Sequence, residues 1–224
     1  MPDLYDSLYK LGYQSDGIMT HYSPVLKSLR ALVASDPTVK RVLDVGSSHG
    51  GGVKAMWTMG LLASGVDVAP TAIALAESRH GANPSQCVPP CWTATPATRL
   101  PFADRAFDAL ISTDVLEHLE EVDVEQAVAE LARVTRAWML LKISNRHEFA
   151  NPQSTRAPLG TRNHSTFAAA AKWRFNLSVP RHLHTAVHGQ AWWVARFNRA
   201  GFRLNATIPV PGWACCAFTM KRDA

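Results

Sequence analysis

Apolar runs of strand length alternate with stretches of helical periodicity from about residue 40 to the end of the chain. The apolar runs predict strands at about 42–45, 65–68, 87–93, 107–113, 138–143, 202–208 and 214–220. Helices are predicted between them at about 51–62, 71–80, 124–136 and 190–200. Alternation of this kind is typical of an α/β fold in which crossover helices join parallel strands.

Two segments fall outside this alternation. Residues 1–39 form an N-terminal arm rich in tyrosine, in which one helix is predicted near 24–33. Residues 145–189, rich in Asn, Arg, His and Pro, are too long for a simple turn and are typical of a lid or binding loop. We therefore expect one domain over 1–224, made of the arm, a core at 40–144, the insertion at 145–189, and a closing helix and strands at 190–224.

Several features bear on the compartment of the protein. No apolar run reaches the roughly 18 residues that a membrane-spanning helix needs, and the start, MPDLYDSLYK, lacks the basic and apolar regions of a secretion signal. The four cysteines, at 87, 91, 215 and 216, match neither a zinc site nor a small disulfide-rich fold. We expect unpaired, partly buried thiols in a cytoplasmic protein without a membrane partner.

The composition is that of a globular protein, with 47% hydrophobic and 18% charged residues, but the charge is unevenly distributed. Residues 1–141 contain 11 Lys and Arg against 16 Asp and Glu, whereas residues 142–224 contain 12 against 2. Five of the nine histidines also lie in the C-terminal part. Such a basic part is either simply solvated or receives an anionic partner.

The segment RVLDVGSSHGGG at 41–52 predicts a ligand-binding turn. Its apolar run ends on Asp44, and the following glycines let the backbone approach a ligand next to the free N–H groups of a helix. Asp67, 23 positions later, ends the second predicted strand, where a carboxylate can accept hydrogen bonds from both ribose hydroxyls. The turn does not fit the dinucleotide pattern G-x-G-x-x-G, and no Gly-Lys-Ser/Thr of a P-loop follows. Adenosine with a free ribose is the predicted ligand.

Four motifs in order and spacing make residues 40–144 similar to class I S-adenosylmethionine-dependent methyltransferases. They are VLDVGSSHGGG, GVDVAPTAIALAESR, LPFADRAFDALISTDVLEHL and AELARVTRAWMLLKI. The resemblance implies a Rossmann-like, doubly wound sheet of seven strands in the order 3-2-1-4-5-7-6, with the last strand antiparallel. It also implies S-adenosyl-L-methionine as the cofactor.

The cofactor-binding residues that the resemblance implies are Asp44, Gly46, Ser48, Gly50, Asp67, Val68, Ala97 and Asp114. The residues of the turn would line the methionine end, Asp67 would hold the ribose, and Asp114 would lie beside the sulfonium. Val68 and Ala97 would contact the adenine. The sequence departs from the family at Ser48, where glycine is common, and at Pro96, where an acidic residue often contacts the adenine. These departures leave open a rival class, a non-catalytic subunit that activates a partner.

Methyl transfer from a sulfonium requires the protein to align the acceptor and, for an oxygen nucleophile, to remove a proton. The segment DVLEHL supplies His118, whose imidazole suits a base near neutral pH. The segment RHLH supplies His182 and His184, which lie on one side of an extended chain. These three histidines are the predicted catalytic residues.

A divalent metal is an alternative for the same segment. Small-RNA 2′-O-methyltransferases and ubiquinone-pathway O-methyltransferases carry E-x-x-E-H there and hold a metal with it, and this chain has Asp114, Glu117 and His118 at that spacing. His182 or His184 of the segment RHLH would complete the ligand set. Carboxylate and imidazole ligands suit Mg²⁺, Mn²⁺ or Zn²⁺. We expect no metal, because DVLEHL is widespread in relatives without one and Asp114 is shorter than the usual Glu.

The acceptor site is expected between the N-terminal arm and residues 145–189, at the carboxyl ends of the parallel strands. Five arginines of that segment could bind carboxylate or phosphate: Arg146, Arg156, Arg162, Arg174 and Arg181. We therefore expect transfer to an oxygen of a small, anionic metabolite. An RNA methyltransferase is the alternative that the basic C-terminal part favours. Against it stand the lack of an appended RNA-binding module and of aromatic residues interleaved with the basic ones.

Overall fold

The computed structural model of the chain describes residues 2–11, 18–145, 172–173, 176, 178, 183–210 and 215–223. Its helices are α1 (Pro2–Lys10), α2 (Ile18–Ser35), α3 (Gly51–Thr58), α4 (Pro70–His80), α5 (Glu121–Val134) and α6 (Gln190–Arg199). Its strands are β1 (Arg41–Val45), β2 (Leu62–Asp67), β3 (Trp92–Ala94), β4 (Phe107–Thr113), β5 (Thr135–Ser144), β6 (Phe202–Thr207) and β7 (Cys215–Arg222). A short 3₁₀ turn, Leu116–His118, follows β4.

The seven strands form one sheet in the order β3-β2-β1-β4-β5-β7-β6. The pairs from β3 to β5 are parallel, whereas β7 runs antiparallel to both of its neighbours. The predicted α/β fold, strand order and antiparallel last strand are therefore confirmed. Parallel strands have their carboxyl ends at one edge of the sheet, so the segments after β1, β2, β3 and β4 lie side by side there.

The core consists of two layers, one on each face of the sheet. All residues of β4 are buried; Leu110 belongs to one layer, and Ala109 and Ile111 belong to the other. This alternation follows from the two-residue period of a strand, and it explains why central strands read as continuous apolar runs. Helices α5 and α6 cover the first layer, and α2 and α3 cover the second.

Strand β3 differs from its prediction. The sequence predicts a strand at 87–93, whereas β3 covers only Trp92–Ala94. Pro89 and Pro90 interrupt the apolar run, and proline has no N–H to donate to a strand ladder. Cys87 and Cys91 flank the two prolines and form a disulfide, with their Cα atoms 5.3 Å apart. The prediction of unpaired thiols is wrong for this pair, and these cysteines no longer support the expected reducing compartment.

The N-terminal arm also contains more structure than predicted. Helix α2 includes the predicted segment, but α1 precedes it and was not expected. Leu4 and Leu8 lie on one face of α1 and are buried, which is the i, i+4 spacing of an amphipathic helix. None of the helices in the described part of the chain has the length and apolar character needed to cross a bilayer.

Candidate functional site

The glycine-rich turn joins β1 to α3 and is fastened to β2. Gly46 and Gly50 have φ angles of +80° and +85°, in the left-handed region that glycine adopts without strain. The N–H groups of Gly46 and Ser47 donate to the carbonyl oxygen of Val66 at 2.8 and 2.9 Å. A Cβ atom on Gly46 would lie 2.0 Å from Cγ2 of Val115. The turn therefore packs directly against the segment that follows β4.

Ser48 takes the place of the middle glycine and keeps a glycine-like backbone. Its φ of +50° is left-handed, which costs a residue with a Cβ roughly 1–2 kcal/mol. Two contacts offset this cost: the Ser48 N–H donates to Oδ2 of Asp67 at 2.9 Å, and the Tyr9 hydroxyl donates to Oγ of Ser48 at 2.7 Å. The departure from the family pattern thus gives α1 a hydrogen-bonding partner in the turn.

Asp67 lies at the end of β2 and is 8% exposed. Its Oδ1 accepts a hydrogen bond from the N–H of Ala69 at 3.0 Å, and its Oδ2 accepts one from Ser48. Burial raises the pKa of the Asp67 carboxyl above its ordinary value, while these backbone donors favour the charged form. Each carboxylate oxygen retains a further lone pair, so the group is held in one orientation and can still accept from a ligand.

The other residues expected to bind the cofactor lie around this carboxylate. Asp44 is fully buried in β1, and Val68 is half-buried directly after Asp67. Ala97 is buried in the loop after β3, and the N–H of Thr95 in that loop donates to the main-chain oxygen of Asp67 at 2.8 Å. The residues predicted from the turn, from the end of β2 and from the loop after β3 therefore share one edge of the sheet.

Asp114 follows β4 and forms a close ion pair with Lys142 of β5. Both carboxylate oxygens lie 2.5 Å from the Lys142 ammonium, whose side chain is 3% exposed, while that of Asp114 is 30% exposed. The Asp114 N–H also donates to the main-chain oxygen of Lys142 at 2.9 Å. The ends of β4 and β5 are thus tied together, and a buried positive charge lies at this edge.

Glu117 is fully buried in the 3₁₀ turn after β4. Its Oε1 accepts a hydrogen bond from the N–H of Ser144 at 2.9 Å, and its main-chain oxygen accepts from Thr185 and Ala186 at 2.8 and 3.0 Å. Its Oε2 has no hydrogen-bond partner among the described residues. Burial, together with the negative charge of Asp114, raises the pKa of Glu117 to about 8. The raised pKa favours the protonated form of this carboxyl group.

His118 and His184 meet at the same edge. Their rings pack edge to face, with centroids 4.6 Å apart. Nδ1 of His118 lies 3.1 Å from the carbonyl oxygen of Leu183 and 2.7 Å from the hydroxyl oxygen of Tyr5. A carbonyl oxygen only accepts, so the neutral ring carries its proton on Nδ1 and leaves a lone pair on Nε2. Burial, together with repulsion from the His184 ring when that ring is also protonated, lowers the pKa of His118 to about 3, so the His118 ring is neutral at physiological pH.

Helix α1 links this pair of histidines to the glycine-rich turn. Tyr9 contacts Ser48 and Tyr5 contacts His118, and residues four apart on a helix lie about 6 Å from each other along its axis. Asp6, between them, accepts a hydrogen bond from the N–H of Thr71 at 2.7 Å, in the first turn of α4. The turn and the histidines therefore lie one helical turn apart, against one face of α1.

Glu117, His118 and His184 could also hold a metal ion, since their ligand atoms lie within 4.8 Å of one another. Carboxylate and imidazole are suitable ligands for Mg²⁺, Mn²⁺ or Zn²⁺. One feature opposes a cation here: the ammonium of Lys142 already pairs with Asp114. That no metal is used stays a prediction.

Some residues expected in the site lie outside the part of the chain that the structure describes. His182 lies outside the described residues, as do the five arginines expected to bind an anion: Arg146, Arg156, Arg162, Arg174 and Arg181. The sequence prediction placed the N-terminal arm at the acceptor site but assigned no helix and no contact to Tyr5 and Tyr9, and it overlooked Lys142 altogether. The signals were present: the tyrosines have the i, i+4 spacing of a helix, and Lys142 interrupts an otherwise apolar strand.

Comparison with known protein families gives one match. The methyltransferase domain family matches residues 43–138, which include the glycine-rich turn, Asp67 and the segment after β4. No curated protein sequence matches the chain.

Solved structures with the same fold include the magnesium protoporphyrin IX methyltransferase of Synechocystis with bound S-adenosylmethionine. It has a TM-score of 0.60 and 15% identity, over 92% of this chain and 82% of that chain. The 1,6-didemethyltoxoflavin-N1-methyltransferase of Burkholderia thailandensis has a TM-score of 0.59 and 15% identity, over 100% of this chain and 91% of that chain. A chain of the complex between the Haloferax volcanii Trm112 methyltransferase activator and the putative methyltransferase has a TM-score of 0.62 and 13% identity, over 98% of this chain and 98% of that chain. At these identities the similarity establishes the fold.

The fold and the family match agree with the motifs of the sequence. The strand order 3-2-1-4-5-7-6 is the one implied by those motifs, and the matched domain spans the segments that build the edge of the sheet described above. Residues 43–138 therefore match the methyltransferase domain family, and the fold of the chain is that of the S-adenosylmethionine-dependent methyltransferases.

Proposed function

We propose that the chain transfers the methyl group of S-adenosylmethionine to a hydroxyl oxygen of a small metabolite, and that His118 and His184 take up the hydroxyl proton. The observation that carries this proposal is the neutral His118 ring, whose Nδ1 is engaged by Leu183 and Tyr5. Its Nε2 lone pair remains available next to His184, one helical turn from the glycine-rich turn.

The residues at the edge of the sheet fit the cofactor. When bound, it supplies a methyl group on a sulfonium, from which the neutral thioether S-adenosylhomocysteine leaves readily. Asp67 would accept hydrogen bonds from the ribose hydroxyls, and the left-handed turn of Gly46, Ser48 and Gly50 would let the backbone approach the methionine end. The first turn of α3 has no side-chain cap, so its N–H groups are available to a carboxylate. The side chain of Asp114 is 30% exposed, so it can be reached from the site.

The low basicity of His118 is compatible with this role. Its pKa of about 3 keeps the ring in the neutral, proton-accepting form. As the new O–C bond forms, positive charge develops on the acceptor oxygen, and its O–H becomes far more acidic than that of a free alcohol. A weak base is then sufficient, because the proton transfer is downhill in the transition state. The O–H proton passes to Nε2 of His118 or to the ring of His184.

A small acceptor is supported by what covers the edge of the sheet. Leu4 and Leu8 of α1 pack against Leu183, so α1 and the segment that carries His184 contact each other over the end of β4. The main-chain oxygen of Glu117 holds that segment through Thr185 and Ala186. The two similar enzymes from Synechocystis and Burkholderia are named for small molecules. An anionic acceptor is proposed because of the basic C-terminal part of the chain, and added salt would then raise KM.

The test uses labelled cofactor with pooled metabolites and with pooled RNA, followed by variants on the acceptor found. His184→Gln and His118→Gln should each lower kcat/KM by about 10²-fold. His188→Gln is the matched control, because His188 lies in the same segment but pairs with Glu121 and stacks on Trp192. Wild-type rates in both site variants would refute the proton-accepting role. Label in RNA would favour the RNA alternative, and absence of cofactor binding in calorimetry would favour the non-catalytic subunit.

A further inference from the structure

We infer that Tyr5 is a positioning residue that orients the ring of His118, and that it does so only while α1 is seated on the glycine-rich turn. The inference rests on the proposed role of His118 and adds a link between the cofactor turn and the base. Tyr5 itself takes no part in making or breaking bonds.

Nδ1 of His118 lies between two groups that can hydrogen-bond to it. Two oxygen atoms lie within hydrogen-bonding distance of it, the Leu183 carbonyl at 3.1 Å and the Tyr5 hydroxyl at 2.7 Å. The carbonyl can only accept, which places the proton on Nδ1, and the Tyr5 hydroxyl, which can donate or accept, then accepts from the same N–H at the shorter distance. The Tyr5 ring additionally packs edge to face on the His118 ring, with centroids 5.5 Å apart. Tyr5 thus orients the ring and strengthens the tautomer that leaves Nε2 able to accept a proton.

Helix α1 is held by hydrogen bonds to the glycine-rich turn and to α4. Tyr9, one turn after Tyr5, donates to Ser48 at 2.7 Å, and Ser48 in turn donates to Asp67. Asp6 accepts from the N–H of Thr71 at 2.7 Å. The seat of α1 is therefore built from the turn and from residues around the ribose-binding carboxylate. A ligand that orders this turn also orders α1, and with it the hydroxyl of Tyr5.

The consequence is that the two tyrosines of one helix have separable effects. Tyr5→Phe keeps the aromatic ring and removes the contact with Nδ1, so kcat should fall about tenfold. Cofactor affinity should change less than about twofold, because the hydroxyl that is removed contacts Nδ1 of His118, whereas Tyr9 makes the hydrogen bond to the turn. Tyr9→Phe should instead weaken cofactor binding by about three- to tenfold, the effect of one hydrogen bond, with kcat largely restored at saturating cofactor.

The experiment measures kcat, KM and cofactor affinity for Tyr5→Phe and Tyr9→Phe, with Asp3→Asn as the control on an exposed position of the same helix. It also records the ring ¹⁵N signals of His118 in the complex with S-adenosylhomocysteine. In the wild type, Nδ1 should be protonated and Nε2 should not; in Tyr5→Phe, both signals should move toward the average of the two tautomers.

Two outcomes overturn the inference: a Tyr5→Phe variant with wild-type kcat, or one with unchanged ¹⁵N signals. A fall of kcat accompanied by an equal loss of cofactor affinity would also overturn it. Tyr5 would then act only by holding α1 on the glycine-rich turn. Failure of the proposed function is distinguishable from these results. If His118→Gln retains full activity, His118 is not the base, whereas the tautomer shift in Tyr5→Phe is measured without turnover.

Discussion

The N–H of Ser48 and the carboxylate of Asp67 are joined by a hydrogen bond of 2.9 Å, which makes the glycine-rich turn and the end of β2 one unit. Ser48 reaches this position through a left-handed backbone, with φ of +50°. The carboxylate is held from both sides, since Ala69 donates to its other oxygen at 3.0 Å. Cofactor affinity should therefore depend on the charge of Asp67 more than on the flexibility of the turn.

Asp67→Asn tests this dependence. The amide keeps an acceptor for one backbone N–H but removes the charge that strengthens the ribose hydrogen bonds, so cofactor binding should weaken by about 1.5–3 kcal/mol. Calorimetric titration with S-adenosylhomocysteine measures the change. Glu77→Gln, on an exposed position of α4, is the control with the same chemical change. An unchanged dissociation constant in Asp67→Asn would remove Asp67 from the binding site.

Gly46→Ala and Gly60→Ala separate backbone strain from a steric clash. Both glycines have left-handed φ angles, +80° and +77°, but a Cβ on Gly46 meets Val115 whereas one on Gly60 meets no atom within 4 Å. Gly60→Ala should lower the free energy of unfolding by roughly 1–2 kcal/mol through strain alone. Gly46→Ala should cost about 1–3 kcal/mol more, because Val115 must move. Urea denaturation measures the free energy of unfolding of both variants. Equal losses would show that Val115 moves away from the added Cβ atom without a measurable cost.

The sequence predicts most of this fold because its motifs lie on central strands. Strand β4 is buried throughout, and such strands produce apolar runs that can be recognised without knowing their partners. The prediction fails where a local feature competes with the pattern, as at β3, which two prolines and a disulfide shorten. It also underestimated the N-terminal arm, because a short helix such as α1 gains its stability from packing that the sequence does not show.

The site is predictable to a similar extent and for similar reasons. Asp67 and the turn follow from a motif with fixed spacing, whereas the pairing of Lys142 with Asp114 depends on the register between β4 and β5. The contact of Tyr5 with His118 joins residues 113 positions apart. Contacts of this kind arise from tertiary packing, which no local pattern encodes.

Glu117 should make the stability of the protein depend on pH in a particular direction. Its pKa is raised from 4.5 to about 8, so between these values the folded state holds a proton that the unfolded state has lost. Its contribution to stability is fully present below pH about 4.5 and is lost as the pH rises toward about 8, at no more than about 1.4 kcal/mol per pH unit. Glu117→Gln, which mimics the protonated acid, should not show this loss.

The measurement is the difference in unfolding free energy between the wild type and Glu117→Gln across this range. The lowered pKa of His118 makes stability rise with pH, which is the opposite direction. Because His118 is present in both proteins, its contribution largely cancels in the difference. The wild type should lose stability relative to the variant as the pH rises from about 4.5 to about 8. A difference that does not vary with pH would show that the Glu117 carboxyl titrates normally.

Methyl transfer should not require a divalent metal. Asp114 is already paired with Lys142, so among the described residues only Glu117, His118 and His184 are left to hold a cation. Activity should therefore survive extensive dialysis against EDTA and should not rise on addition of Mg²⁺, Mn²⁺ or Zn²⁺. Abolition by EDTA with rescue by one of these ions would instead make the three residues metal ligands.

The central claim, transfer of a methyl group to oxygen with the two histidines as proton acceptors, is tested most directly by identifying the atom that receives the label. The protein and its His184→Gln variant are incubated with S-adenosylmethionine carrying a ¹³C methyl group and with a pooled metabolite extract or pooled RNA, and the products are analysed by NMR. The account predicts an O-methyl product from the wild type and about 10²-fold less of it from the variant. Label on nitrogen, carbon or RNA, or equal product from both proteins, would contradict it.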